Sequence, residues 1–552
     1  MRRLLVFALL VPALAAAQDR YVVHNARVYT VDAQNPTAEA FAVDEGRLVA
    51  VGSEADVLAA YPDWDRRDLD GLTVIPGLID AHAHLMGLGE SLLQADLVGT
   101  TSKAEIVERL RAFAVDLPEG AWLSGRGWDQ NDWGDGEPFP TRADLDAAFP
   151  DVPVLLRRID GHAVWANTAA LRAAGLDPEA EAPADPEGGA SIRDETGRPT
   201  GVFVDNAIGL VSRAVPEADE AFYAEALTRA LDETTKYGLT GVHEAGTPLA
   251  VIDLYREFAA SGRFPLRNYA MITPGEIAAF CDAHPEGVRE ADDRLVVRSV
   301  KVYADGALGS RGAALLDGYA DDPGNHGLLF QPDETLQATV EQAMRCGLQV
   351  NTHAIGDRAN RQVLDAYEAA IEATGGARGR HRVEHSQILA LDDIERFARL
   401  GVIASVQPTH ATSDMPWAED RIGDRAVGAY AWRRLVDAGA RLALGSDFPV
   451  ERVDPLLGFH AAVTRQDAEN APAGGWYGNQ VLTREEALRG FTLDAAYAAF
   501  MEDEVGSLEV GKRADFVVLS ADLMAVPPEA ILDTHVVQTV LGGETVYEVD
   551  AP

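Results

Sequence analysis

Eight short apolar runs recur along this chain with helix-patterned stretches between several of them, and that alternation limits the fold more than any other feature. The runs are Leu72–Ala81, Val152–Ile159, Thr240–Glu244, Val296–Tyr303, Leu348–Thr352, His381–Glu384, Val402–Val406 and Leu442–Gly445. Glu334–Cys346 and Asp392–Leu400 are among the helical segments that separate them. Buried strands that alternate with helices predict an α/β fold, a (β/α)8 TIM-like barrel. A doubly wound open sheet gives a similar count of runs. At 552 residues the chain can form such a domain and a smaller one besides.

The two chain ends read differently from the middle. Tyr21–Thr30 and Ala40–Gly52 at one end, and Gly506–Leu519 and Val536–Tyr547 at the other, are strand-like, with a Glu-Gly turn inside the second. The ends are expected to pair into a small β-sandwich domain. The expected boundaries are a signal segment at 1–17, the first part of the small domain at 18–75, the barrel at 76–495 and the second part at 496–552. Asp177–Asp205, rich in Pro, Gly, Glu and Asp, reads as an exposed excursion, and Asp129–Thr141 as a Trp-containing loop.

The basic start Met1-Arg2-Arg3, the apolar Leu4–Val11 and the small residues Ala15-Ala16-Ala17 have the form of a cleavable secretory signal. The expectation is an exported protein, periplasmic or extracellular. No later stretch has the roughly twenty apolar residues that cross a bilayer. A formal charge of −41 argues against nucleic acid or an anionic membrane as partner, because phosphates are repelled. Cys281 and Cys346 stand far apart in unlike contexts and read as packed small hydrophobes, with a disulfide between them the less favoured alternative.

The chemistry gathers at the ends of the apolar runs. Val74-Ile75-Pro76-Gly77-Leu78-Ile79-Asp80-Ala81-His82-Ala83-His84 closes on two histidines spaced i, i+2, which point to the same side of a strand. Lys301, His353, His385 and Asp447 end or follow later runs. Strand ends converge on one mouth of a barrel, so this nitrogen and oxygen set suits Zn2+ or a similar divalent ion. Each has a plainer reading: Asp447 as an N-cap, Lys301 as a charged partner beside a single metal. His162 follows Val152–Ile159 and is a candidate substrate contact, with His243 and His410 placed similarly. Trp128 and Asp129, with Trp133, are candidates for a lid, or fold their own loop. Arg311 either binds a substrate anion or pairs with an acid. His24, His284, His326, His460 and His535 lack strand-end company and read as packed or surface residues.

Five segments together carry a resemblance. They are Pro76–His84, Lys301–Arg311, Thr352–Ala359, Glu384-His385-Ser386 and Gly445-Ser446-Asp447-Phe448-Pro449, and the close Gly511–Leu519 agrees with them. The pattern resembles the metal-dependent amidohydrolase superfamily, in particular the amidohydrolase-3 branch of YtcJ-like proteins and N-substituted formamide deformylases. That resemblance implies that His82 and His84 hold the more buried metal and His353 and His385 a second. Lys301 would be carboxylated on its amine (N6-carboxylysine) and bridge the two, while Asp447 binds the first metal and is the catalytic proton shuttle. A free lysine, with a pKa near ~10.4, is a cation and a poor ligand, whereas its carbamate is an anion with two oxygens. The implied activity is hydrolysis of a non-peptide C–N bond, amide or formamide, in a small molecule by a metal-activated hydroxide. A cyclic amidase or deaminase on the same scaffold is an alternative, and a non-catalytic binding barrel is another of a different class. Zn2+ is the default metal, as one or two ions, and a homodimer the default assembly.

Overall fold

The computed structural model describes residues 20–118, 120–134, 139–376 and 379–549. The signal segment read at 1–17 lies outside them, as do positions 135–138 of the Asp129–Thr141 loop.

Eight strands run in sequence order around one sheet: β1 (Leu78–Ala83), β2 (Leu239–Thr247), β3 (Arg267–Ile272), β4 (Leu295–Tyr303), β5 (Gln349–Ala354), β6 (Arg382–His385), β7 (Ile403–Val406) and β8 (Leu442–Leu444). Every neighbouring pair is parallel. The two edges, β1 and β8, meet through the backbone just beyond β8. The Asp447 N–H donates to the His82 carbonyl at 2.8 Å, and the His84 N–H to the Phe448 carbonyl at 2.8 Å. The buried Asp80 carboxylate joins the same seam, accepting from the Ser446 N–H at 3.0 Å and its hydroxyl at 2.6 Å. The sheet is thus a nearly closed barrel, with helices such as Leu249–Ala260, Asp333–Arg345 and Asp357–Thr374 packed outside.

Two of the expected runs need correction. Val152–Ile159 is not a barrel strand: Val154–Arg158 belongs to a separate six-stranded sheet. Its apolar pattern is that of any buried strand, and pattern alone does not say which sheet takes it. The missing barrel strand is β3, which opens on Arg267 and Asn268 and so lacks an apolar signature at its start. Both polar side chains are nevertheless buried, Arg267 because its guanidinium forks onto Asp515 at 2.7 and 3.0 Å.

The separate sheet is inserted after β1, between the helices Leu85–Ser91 and Glu220–Thr235. Its order is Gly189–Arg193, Pro199–Asp205, Ala163–Ala166, Val154–Arg158, Leu123–Trp128, Ala95–Asp96. A connection leaves a barrel strand at its C-terminal end, so the insert stands beside the mouth. The Asp177–Asp205 stretch is accordingly more than an exposed excursion: it supplies two strands of this sheet, and Val202 and Phe203 are fully buried. Its Pro, Gly and acidic content belongs to the turns around those strands.

The chain ends form two further sheets. One joins Arg47–Gly52, Ala40–Asp44, Tyr21–His24 and Asp65–Asp68. The other joins Glu544–Glu548, Val536–Leu541, Phe516–Leu519, Thr73–Pro76, Arg27–Tyr29 and Thr37–Ala38. Residues of both meet in one core that includes Tyr21, Phe41, Val74 and Phe516. Thr73–Pro76 leads through Gly77 straight into β1, which ties this layer to the barrel.

Cys281 and Cys346 form a disulfide with Cα atoms 6.0 Å apart, contrary to the sequence reading. Cys281 lies on the helix Ile277–Ala283 before β4, and Cys346 caps the helix Asp333–Arg345 after it. Residues distant in the chain become neighbours because successive barrel helices pack side by side. Among the described residues no helix is long and apolar enough to cross a membrane.

Candidate metal centre

Five of the eight barrel strands, β1, β4, β5, β6 and β8, carry polar groups at or just beyond their C-terminal ends, and these groups converge. His82 ends β1 with His84 just beyond it, Lys301 lies near the end of β4, and His353 near the end of β5. His385 closes β6, and Asp447 follows β8. His82, His385 and Asp447 each present a donor atom, and the three atoms lie within 4.8 Å of one another. Asp447 Oδ1 is 3.2 Å from His84 Nε2 and 3.5 Å from His82 Nε2, and Lys301 Nζ is 3.0 Å from His82 Nε2. The His353 ring centre is 4.5 Å from that of His385, which is 4.8 Å from that of His82. All six expected site residues therefore form one contiguous cluster.

The backbone bends to do this. His385, Ser386 and Asp447 have φ of 74°, 44° and 65°, in the left-handed region that non-glycine residues seldom occupy. The seam bonds of Asp447 and the burial of its neighbours hold this conformation.

Burial sets the charge states. His82 is pushed down to about 4, by burial first and then by Lys301, and burial also drives His353 and His385 well below the usual imidazole value. All three are neutral bases at neutral pH, the form that ligates metal. Lys301 is pushed down to about 8 because its amine is buried, against the pull of Glu384 and Asp447. Burial opposes ionisation of Asp447, but the imidazoles of His82, His84 and His385 outweigh it and hold its carboxyl well below the ordinary range.

A divalent ion fits this set. His353 Nε2 and Asp447 Oδ1 are buried and have no hydrogen-bond partner. Orphaned lone pairs inside a protein are costly unless something else satisfies them. A surrounding layer fixes ring orientation: His82 Nδ1 bonds Glu384 Oε2 at 2.5 Å, and His385 Nδ1 bonds Gln407 Oε1 at 2.8 Å, leaving each Nε2 toward the centre. Asp305 accepts from the Ala314, Ile355 and Gly356 N–H groups at 2.8–2.9 Å, with His353 Nε2 3.6 Å away.

The cluster opens into a cavity of about 1050 Å³ walled on one side by the inserted sheet. His162 faces it, with Nδ1 held by Asp205 at 2.6 Å and its ring centre 5.1 Å from that of His353. Asp129 also lines it and is bound by Arg158. The other two substrate candidates are placed elsewhere. Trp128 is a fully buried strand residue whose Nε1 donates to the Leu156 carbonyl at 3.0 Å, inside the insert's core with Trp133 and Trp165. Arg311 pairs with Asp321 at 2.8 Å and is not among the residues lining the cavity. His243 lies beneath the centre, bonded to Arg382 at 3.0 Å. His410 joins the site: its Nε2 is 3.7 Å from Asp447 Oδ2 and its ring stacks near His385. Sequence reasoning missed Glu384, Gln407 and Asp305, although Glu384 directly precedes His385 and an acid inside an apolar run is itself a signal.

A barrel with converging imidazoles, a buried lysine and an ionised aspartate at its mouth defines the class of metal-dependent hydrolases. A profile of the Amidohydrolase family matches residues 66–547, and the chain belongs to that family. It is 36% identical over 534 residues to the Bacillus subtilis (strain 168) protein named as amidohydrolase YtcJ, covering 95% of this chain and 99% of that one. It is 30% identical over 545 residues to N-substituted formamide deformylase of Arthrobacter pascens, covering 95% and 97%. Among solved structures, an uncharacterized metal-dependent hydrolase from Pyrococcus horikoshii OT3 superposes with a TM-score of 0.74 at 28% identity, covering 92% of this chain and 99% of that one.

Proposed function

We propose that the protein hydrolyses a non-peptide C–N bond, of the linear amide or formamide type, in a small molecule. The observation that carries this reading is the buried donor set with His353 Nε2 and Asp447 Oδ1 unsatisfied, opening on a cavity of small-molecule size. The similarity to a formamide deformylase supports the choice of bond.

His82, His84, Lys301, His353, His385 and Asp447 would hold the metal, and a nitrogen and oxygen set of this kind favours Zn2+. When bound, a divalent ion polarises the substrate carbonyl and lowers the pKa of a water toward neutrality. Lys301 would enter the set as its carbamate. Burial raises the neutral fraction of its amine. That nitrogen forms a bond to the carbon of CO2 and gives up one proton, leaving an anion with two oxygens. Asp447, ionised and facing the cavity, takes the proton of the attacking water on the carboxylate oxygen that the metal would leave free and passes it to the departing amine nitrogen, which is a poor leaving group until protonated. Glu384 and Gln407 keep His82 and His385 turned to the centre. Export is part of the proposal, since a disulfide such as Cys281–Cys346 persists in an oxidising compartment.

A panel of linear formamides and amides set against lactams and aminopurines, assayed before and after chelation, tests the reading. Turnover of linear members that chelation abolishes and metal restores is expected. Activity indifferent to chelation, or confined to the rings, would overturn it.

A further inference from the structure

Two arginines of the inserted sheet face the cavity with most of their donors unused. Arg126 and Arg157 sit on adjacent parallel strands and are direct register partners, so both side chains emerge side by side from one face of the sheet. Two like charges so placed repel each other, and no acid among the described residues closes an ion pair with either, although Glu90 and Asp160 act on both from farther away. Among the described residues no carboxylate lies within 4.0 Å of either guanidinium. Asp160 is taken up by Arg158, and Glu90, half-buried at the same cavity wall, feels both guanidinium charges without pairing with either, while burial pushes its carboxyl up.

Each guanidinium spends one N–H on the loop that carries His162: Arg126 Nη2 on the Ile159 carbonyl at 2.9 Å, and Arg157 Nη1 on the Gly161 carbonyl at 3.1 Å. A guanidinium has five donors in a planar fork. Arg126 Nε is buried with no partner at all. In a chain of net charge −41, two arginines kept without ion pairs beside a catalytic cavity are conspicuous. The same anchoring aims them, because the loop they brace also holds His162 against His353.

We propose that Arg126 and Arg157 form an anion subsite that binds a carboxylate on the substrate, so that the molecule cleaved is an amide or formamide bearing a carboxylate away from the scissile bond. This deepens the reading given under Proposed function and rests on it for the amide. A carboxylate matches the subsite because two forks can grip its two oxygens in one plane. A phosphonate shares the charge but not the plane, and separates the two kinds of anion in the test. The metal cluster lies in the same cavity, so an anion held at the insert leaves the amide end toward the mouth.

The test uses metal-loaded enzyme and matched pairs: N-formyl-γ-aminobutyrate against N-formylbutylamine, with the phosphonate analogue as a third probe. The expected result is a kcat/KM at least about tenfold higher for the carboxylate than for its neutral partner, expressed mainly in KM. That ratio should collapse toward unity in R126M/R157M, stay higher in R126K/R157K than in R126M/R157M, and exceed the phosphonate-to-neutral ratio. Because the ratio is internal to each variant, a partly damaged fold does not mimic the result. A neutral partner hydrolysed as well as the carboxylate, or a ratio unchanged in R126M/R157M, overturns the subsite. If no compound is hydrolysed, the amide reading fails, and calorimetry of the same acids decides the subsite separately. Binding lost in R126M/R157M upholds it, and binding absent from the wild type or retained in that variant overturns it.

Discussion

Asp447 carries most of the proposed chemistry at the residue scale. Its Oδ1 lies within reach of His82 and His84 and has no hydrogen-bond donor of its own. Asp447→Asn keeps the shape but removes the base, so kcat should fall by roughly 10²–10⁴-fold with the melting temperature little changed, as paired kinetics and calorimetry would show. Glu384→Gln weakens the grip on His82 Nδ1 and should lower metal affinity about 10–100-fold in a competition titration. Glu451, at the cavity wall, offers a pH test. Burial, with the nearby Asp414 charge, pushes its carboxyl up from 4.5 to about 8. An acid whose folded pKa is raised adds stability that is complete below the unfolded value and is lost as pH rises through the folded one. Glu451→Gln should therefore match the wild type least at high pH, with its advantage in melting temperature growing between pH 4.5 and about 8 and then levelling off. The six cluster residues were legible in the sequence because each ends or follows an apolar run. Trp128 was misread for the converse reason: a tryptophan beside a polar loop resembles a lid, yet it closes a strand whose inner face is aromatic.

At the scale of elements, the barrel's alternation was legible but its membership was not. Val154–Arg158 has the pattern of a barrel strand and sits in the insert, while β3 hides behind Arg267, whose partner Asp515 lies 248 residues away. Periodicity records burial, and only tertiary pairing records which sheet does the burying. The seam between β1 and β8 is where this architecture is most exposed to substitution. A Cβ on Gly445 would fall 2.5 Å from Asp80 Oδ1 and 2.6 Å from the His82 nitrogen, so Gly445→Ala must pry the seam apart. A loss of about 1–3 kcal/mol in denaturant unfolding, with reduced metal content, is expected. The disulfide closes a long loop around β4, and replacing Cys281 and Cys346 together by alanine should cost on the order of 4 kcal/mol by the chain-entropy argument, read in the same experiment.

For the whole molecule, an insert beside the mouth, a barrel and two end sheets share one chain, and the −41 charge is spread over all of them. Self-repulsion of that size is screened by salt, so the melting temperature should rise between about 0.01 M and 0.15 M ionic strength as the Debye length shrinks from about 30 Å to about 8 Å. The central claim, however, is that strands hundreds of residues apart assemble one metal centre. Anomalous diffraction from crystals of the zinc-loaded protein tests it directly. The account predicts a strong peak within bonding distance of His82, His385 and Asp447, with added density on the Lys301 amine. Crystals that show no peak there at saturating zinc, or place it away from these side chains, would contradict it.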